Sequence, residues 1–219
     1  MANKETTAKL KKELAFDFSS ELSDKFFEYL DKVLEKNEHI NLTAVKDRDE
    51  AAQKHIADSL SVTKLEEYRN AKNVIDVGTG AGFPGALLAI ASPDKGFTLL
   101  DSTNKRLKVI EEIAAEIEIN NINTLHARAE EINKKPEYNG NYDLCVSRAV
   151  ANLTTLVDWC LPFVRTGGAF IAYKGENYQE ELELASTTIA KHGATVDRIE
   201  KLPDDYREIS GHTLIVIKK

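Results

Sequence analysis

Apolar positions change their rhythm near residue 70. Before it the spacing is helical. Leu10, Leu14 and Phe18 form one apolar face, and Leu22, Phe26, Phe27, Leu30, Val33 and Leu34 form another. Residues 37–41 break the second helix, and a third helical segment, 50–68, follows the acidic start Asp47-Arg48-Asp49. After residue 70 short apolar runs alternate with helical segments. Strands are expected near 73–77, 97–100, 123–127, 142–147, 169–174, 195–201 and 212–218. Helices are expected near 85–91, 104–117, 153–162 and 178–192. Gly167-Gly168 marks the turn into the fifth strand, and Pro203-Asp204 begins the loop between the last two. This alternation predicts an α/β fold with a doubly wound, mostly parallel seven-stranded sheet. The last two strands have no helix between them and should form an antiparallel edge. Residues 1–70 read as a helical extension and 71–219 as a ligand-binding domain, in one compact unit overall.

At 219 residues the chain fits one domain with an extension. It has no apolar run near ~18 residues, so no membrane span is expected. The start, MANKETTAKLKKEL, is polar and does not resemble a secretory signal. Cys145 and Cys160 both sit among apolar neighbours and are expected as free buried thiols, which points to the cytoplasm. The formal net charge of −7 is opposite to that of a general nucleic-acid binder, so any RNA contact must use local basic patches.

The segment VIDVGTGAGFPG, 74–85, carries the candidate chemistry. A β-branched run ends on a carboxylate, a glycine turn follows, and an apolar helix opens. Gly78, Gly80 and Gly82 allow close backbone approach to a ligand. Counted from Gly78, the dinucleotide pattern G-x-G-x-x-G fails, because Phe83 stands at its third glycine. Asp76 discriminates further, since a carboxylate beside the turn repels a pyrophosphate. S-adenosylmethionine has a sulfonium and an ammonium, which suit Asp76. Its one carboxylate suits the helix N-terminus. Asp101 ends the next strand, 23 residues beyond Gly78, where an acid accepts from ribose hydroxyls. It also serves as a cap for the following helix. Strand ends further supply 128–130, 147–149 and 174–175. Glu130, or backbone beside it, is placed to read an adenine, although Glu130-Glu131 is equally a solvated helix start.

Several segments together resemble one family. They are NLTAV at 41–45, KHIADSL at 54–60, DVGTGAGFPG at 76–85, LLDSTNKR at 99–106, RAEE at 128–131, SRAVANL at 147–153 and KG at 174–175. The chain is similar to the bacterial ribosomal RNA small subunit methyltransferase G family, also called the glucose-inhibited division protein B family. The resemblance implies a Rossmann-like class I methyltransferase fold, S-adenosyl-L-methionine as cofactor, and methylation of N7 of one guanine in 16S rRNA. It implies cofactor contacts at Gly78, Phe83, Asp101, Ser102, Thr103, Ala129, Glu130 and Arg148. The chain departs from the family at Ala86, Leu87 and Ala127, and none of these removes a functional side chain. The expected partner is 16S rRNA within the small ribosomal subunit or an assembly intermediate, and the protein is expected to be a monomer.

Guanine N7 keeps a lone pair in the neutral base, so its methylation needs no general base. The sequence shows no nucleophile–base pair and no metal-ligand spacing, and the five histidines are scattered. Arg148 is the candidate catalytic residue, placed either to meet the guanine or to hold the cofactor. His55 and Ser59 share a helix face with Lys54 and Asp58 nearby, and a histidine there is first expected to be a structural partner. Basic candidates for phosphate contact are Lys9, Lys11 and Lys12, then Lys46, Arg48, Lys105, Arg106, Lys108, Arg128, Arg165 and Lys174. Two other classes compete: a nicotinamide-dependent oxidoreductase, and a ribosome-assembly factor that keeps the fold without transferring methyl.

Overall fold

A computed structural model describes residues 18–201 and 212–219. The expected apolar positions Leu10 and Leu14, the basic positions Lys9, Lys11 and Lys12, and the Pro203-Asp204 loop lie outside them.

Seven strands form one sheet: β1 (Asn73–Val77), β2 (Gly96–Asp101), β3 (Ile122–His126), β4 (Tyr142–Arg148), β5 (Val164–Lys174), β6 (Thr195–Lys201) and β7 (Thr213–Lys218). Their order is β3-β2-β1-β4-β5-β7-β6. The first five are parallel. The expected antiparallel pair is present, with β7 inserted between β5 and β6 and antiparallel to both. The order reverses between β1 and β4, so the carboxyl ends of those strands open a crevice.

β5 begins earlier than expected. Gly167 and Gly168 lie inside the strand rather than before it. A Cβ on Gly168 would stand 2.6 Å from the Asp143 carbonyl oxygen, so glycine here permits close approach to β4.

The N-terminal part packs onto one face of the sheet. Helix α1 (Ser20–Asn37) starts at Ser19, whose hydroxyl accepts from Leu22 N at 3.1 Å. The chain then runs through α2 (Arg48–Ala51), one π-helical turn (Ala52–Ala57), α3 (Asp58–Leu60), a 3-10 turn (Ser61–Lys64) and α4 (Glu66–Asn70). A single helix over 50–68 was the expectation. The wider π turn and the extended Leu65 divide it instead. Helix α5 (Gly85–Ala91) is apolar throughout and buried along nearly all of its length. Such a helix needs cover on every side. The sheet covers one side and α1 the other, so Phe26, Phe27 and Leu30 share one core with Leu87, Leu88 and Leu99. Burying side chains of this size contributes about 1.5–3 kcal/mol each.

Helix α6 (Asn104–Glu116) follows β2, and the short α7 (Ala129–Ile132) follows β3. The second face of the sheet is covered by α8 (Leu153–Cys160) and α9 (Tyr178–Lys191). There Leu156, Val157 and Ile189 pack with Ile75, Cys145 and Phe170. Among the described residues no helix is long and apolar enough to cross a membrane.

Candidate active site

The glycine turn is tied down by its own amides. Gly78 N and Thr79 N both donate to Leu100 O, at 2.8 and 3.0 Å, and Gly82 N and Phe83 N both donate to Thr79 O. Gly80 N donates to Asp101 Oδ2 at 3.0 Å, and Gly85 N to Asp76 Oδ2 at 2.9 Å. The turn therefore offers a ligand a shaped surface rather than a nest of free amides. Phosphate cradles need such amides. This geometry disfavours the nicotinamide alternative for a second reason, besides the repulsion from Asp76.

Asp76 lies behind the turn, fully buried, and its side chain is not part of a cavity wall. Oδ2 also accepts from Thr79 Oγ1 at 2.7 Å, while Oδ1 is buried without a hydrogen-bond partner. Burial raises its pKa to about 6, although the bonds from Thr79 and Gly85 oppose that rise. Asp76 braces the turn directly. It acts on a ligand only as a nearby charge.

Two cavities open beside the turn. The first, about 370 Å³, is bounded by Gly78, Gly80, Phe83, Asp101, Ser102 and Arg148. It also takes in Leu42, Thr43, His55 and Arg106, which connect it to the N-terminal segment. The second, about 80 Å³, lies between Asp101 and Ser102 on one side and Ala129, Glu130 and Trp159 on the other. Gly78 and Val150 line both. Among the expected contacts, Gly82 and Thr103 line neither cavity. Gly82 is at φ +88, and a Cβ there would meet the Tyr29 hydroxyl at 2.1 Å, so this glycine makes room for α1. Thr103 N donates to Asp101 Oδ1 at 2.8 Å. Asp101 thus orders the entry to α6, and both its oxygens keep further acceptor capacity towards the cavities.

Arg148 ends β4 with its side chain only 9% exposed. Nη1 donates to Asp58 Oδ2 at 2.6 Å and to Lys54 O at 3.1 Å, and Nη2 donates to His55 Nδ1 at 3.2 Å. Nε and one Nη2 hydrogen have no partner among the described residues. Because His55 Nδ1 accepts, its proton sits on Nε2, which donates to Thr43 Oγ1 at 2.9 Å. Burial, then the charge of Arg148, lower the His55 pKa to about 4, so the ring is neutral near pH 7. The ring stacks on Phe83 at 4.5 Å between centroids. The sequence left the roles of His55 and Asp58 open and did not select Leu42 or Thr43. The NLT and KHIAD segments of the family resemblance were the available signal.

Several basic candidates have structural roles. Lys174 Nζ donates to Ala151 O at 3.0 Å and pairs with Glu181 at 2.6 Å, bracing the loop after β4. Arg48 pairs with Asp31 and Arg165 with Asp143. Arg106 and Arg128 line the cavities, 3.7 Å from Asp101 and 3.8 Å from Glu130, and Lys46, Lys105 and Lys108 are exposed. Among the described residues there is no cluster of side chains able to hold a metal ion.

The fold is shared with solved methyltransferases. An O-methyltransferase from Bacillus cereus in complex with SAH superposes with a TM-score of 0.60 at 15% identity, covering 87% of this chain and 90% of that one. The Methanococcus jannaschii fibrillarin pre-rRNA processing protein gives 0.59 at 13% identity, covering 76% and 75%. At the sequence level, a Ribosomal RNA small subunit methyltransferase G from Clostridium kluyveri is 41% identical over 208 residues, 95% of this chain and 86% of that protein. The relative of the same description from Clostridium novyi is 39% identical over 203 residues, covering 93% and 83%. The model of the family described as rRNA small subunit methyltransferase G matches residues 22–210. With the glycine turn, Asp101 and the end of β4 gathered at one crevice inside that span, the chain belongs to the rRNA small subunit methyltransferase G family.

Proposed function

We propose that this protein transfers the methyl group of S-adenosyl-L-methionine to N7 of a specific guanine in 16S rRNA, within the small ribosomal subunit or an assembly intermediate. The observation that carries the reading is the glycine turn. Most of its amides, those of Gly78, Thr79, Gly80, Gly82 and Phe83, are already bonded within the protein, an unpartnered carboxylate oxygen lies behind it, and a ribose-competent acid stands beside it. That combination fits a cofactor that is cationic and free of phosphate.

Asp101 is assigned to the ribose, the Ala129–Glu130 side of the smaller cavity to the adenine, and Gly78, Gly80 and Phe83 to the walls beside the reacting end. Bound adenosylmethionine supplies a methyl already activated on sulfonium, so that the N7 lone pair forms the new bond, the old bonding pair stays on sulfur, and the base becomes cationic. The protein's share of the work is placement. Arg148 is assigned to the target base. Its two remaining N–H donors suit guanine O6, an acceptor that adenine lacks. N7 itself must be left without a donor, because a hydrogen bond there would hold the reacting lone pair. Neutral His55 and Phe83 give an uncharged wall against which a flat base can lie. We read residues 1–70 as an extension of the unit 71–219, since its described part, 18–70, supplies both the cover of α5 and part of the larger cavity.

The test is transfer of labelled methyl from adenosylmethionine to small subunits taken from cells lacking this gene, followed by nucleoside analysis. Label in 7-methylguanosine of 16S rRNA is expected. Adenosylmethionine binding without any transfer would favour an assembly role instead.

A further inference from the structure

Arg148 is held from three directions. Asp58, at the start of α3, is fully buried and bonds Nη1 at 2.6 Å through Oδ2. Its other oxygen accepts from His212 Nδ1 at 3.0 Å, just before β7. Burial alone would raise the Asp58 carboxyl, but the His212 bond and the Arg148 charge outweigh it and keep the group below the ordinary carboxylate range. The ring of His55 and the Lys54 carbonyl close the remaining side.

A buried ion pair is a poor stability device, because desolvation offsets most of its attraction. Apolar residues of the same volume would hold α3, β4 and β7 together as well. The pair therefore calls for a functional reason, and the chemistry of the base supplies one. A guanidinium beside a base that turns cationic during the reaction would oppose that change unless its charge were cancelled.

We propose that Asp58 is a positioning residue for methyl transfer: it sets the Arg148 guanidinium against the target base and neutralises its charge, so that positive charge can develop on guanine N7. This rests on the guanine-N7 reading above. His212 supports Asp58 from behind and tunes the same pair. Neither residue meets the cofactor, since neither lines either cavity.

The experiment measures single-turnover methyl transfer to unmethylated small subunits alongside calorimetric adenosylmethionine binding and thermal melting. Asp58→Asn is expected to lower the transfer rate about 100-fold while cofactor affinity stays within about threefold. A purely structural role would lower melting and the active fraction without this split. In an Arg148→Gln background the penalty of Asp58→Asn is expected to shrink to about threefold, the non-additivity that marks action through one group. His212→Gln leaves the Asp58–Arg148 bond in place and is expected to cost about 10-fold in rate, so the test survives if Asp58→Asn does not fold. Undiminished transfer in Asp58→Asn or in His212→Gln, or an equal penalty with and without Arg148, overturns the proposal. If the unaltered protein forms no 7-methylguanosine, the reading beneath it falls as well, whereas normal formation with undiminished variants removes this proposal alone.

Discussion

Val150 sits directly on Gly78: a Cβ added at Gly78 would lie 2.4 Å from Val150 Cγ2. Together with Asp101 and Ser102, the two residues line both cavities and bound the neck between them. Val150 follows Ala149, whose φ of +56 is left-handed and uncommon for a residue with a side chain. The loop after β4 is thus folded tightly over a glycine that cannot be enlarged without displacing it. Gly78→Ala should abolish measurable adenosylmethionine binding. It combines the contact with Val150 and a φ of +74, which costs about 1–2 kcal/mol for a residue with a Cβ. Circular dichroism should show the fold retained. Normal calorimetric binding in this variant would mean that the cofactor does not pass the neck.

Asp76 predicts a pH dependence with a definite sign. Its folded pKa of about 6 lies above the unfolded value of 3.8. Between those values the folded protein keeps a proton that the unfolded chain has lost. This contribution to stability is full below pH 3.8 and disappears as pH rises through 6, a difference of about 3 kcal/mol. Asp76→Asn should flatten that part of the melting-temperature profile. A cationic ligand nearby prefers the ionised form, so adenosylmethionine affinity should rise about tenfold from pH 5 to pH 7. Calorimetry across that range checks it, and Asp76→Asn should remove the slope.

The hydroxyl of Tyr29, on α1, donates to Ala81 O at 2.9 Å inside the glycine turn. Burial pushes the phenol far above its ordinary range, and the Asp76 charge adds to that, so it stays a donor at every physiological pH. Tyr29→Phe should destabilise the protein by about 1–3 kcal/mol, since it leaves a buried carbonyl unpaired. Urea denaturation measures this, and cofactor affinity should weaken in parallel.

Much of this was legible in the chain. β1 falls where its apolar run puts it, because a strand buried along nearly its whole length has few alternative registers. β6 has its expected bounds although it is largely exposed. Gly78, Gly80 and Asp101 were readable because the chemistry is local to a strand end. The Asp58–Arg148–His212 arrangement was not. Its members are separated by 90 and 154 positions, and only the packing of α3 against β4 and β7 joins them. The engagement of the turn amides was equally hidden, since their acceptors Leu100 and Asp101 lie on the neighbouring strand. Lys174 stands among the candidates for phosphate contact because sequence carries no signal of the Ala151 carbonyl and Glu181 that hold it.

With a net charge of −7 and with Arg106 and Arg128 each beside a carboxylate at the cavities, affinity for naked RNA should be weak. Few phosphate contacts give a shallow dependence of binding on salt. Small subunits should compete far better than an unstructured RNA of the same length in filter-binding assays at two ionic strengths. Tight binding to arbitrary RNA, or a steep loss of binding with salt, would contradict this.

The Tyr29–Ala81 bond joins α1 to the glycine turn, the loop assigned above to the cofactor. Two equilibria therefore become one. Whatever lifts α1 off α5 also loosens the turn, and whatever occupies the turn resists that lifting by the same free energy. Amide hydrogen exchange in α1, remote from the reacting methyl, should slow when adenosylmethionine is added. The N-terminal helix is in this sense a gauge of occupancy, and it puts on the outside of the molecule a signal of whether the enzyme is loaded.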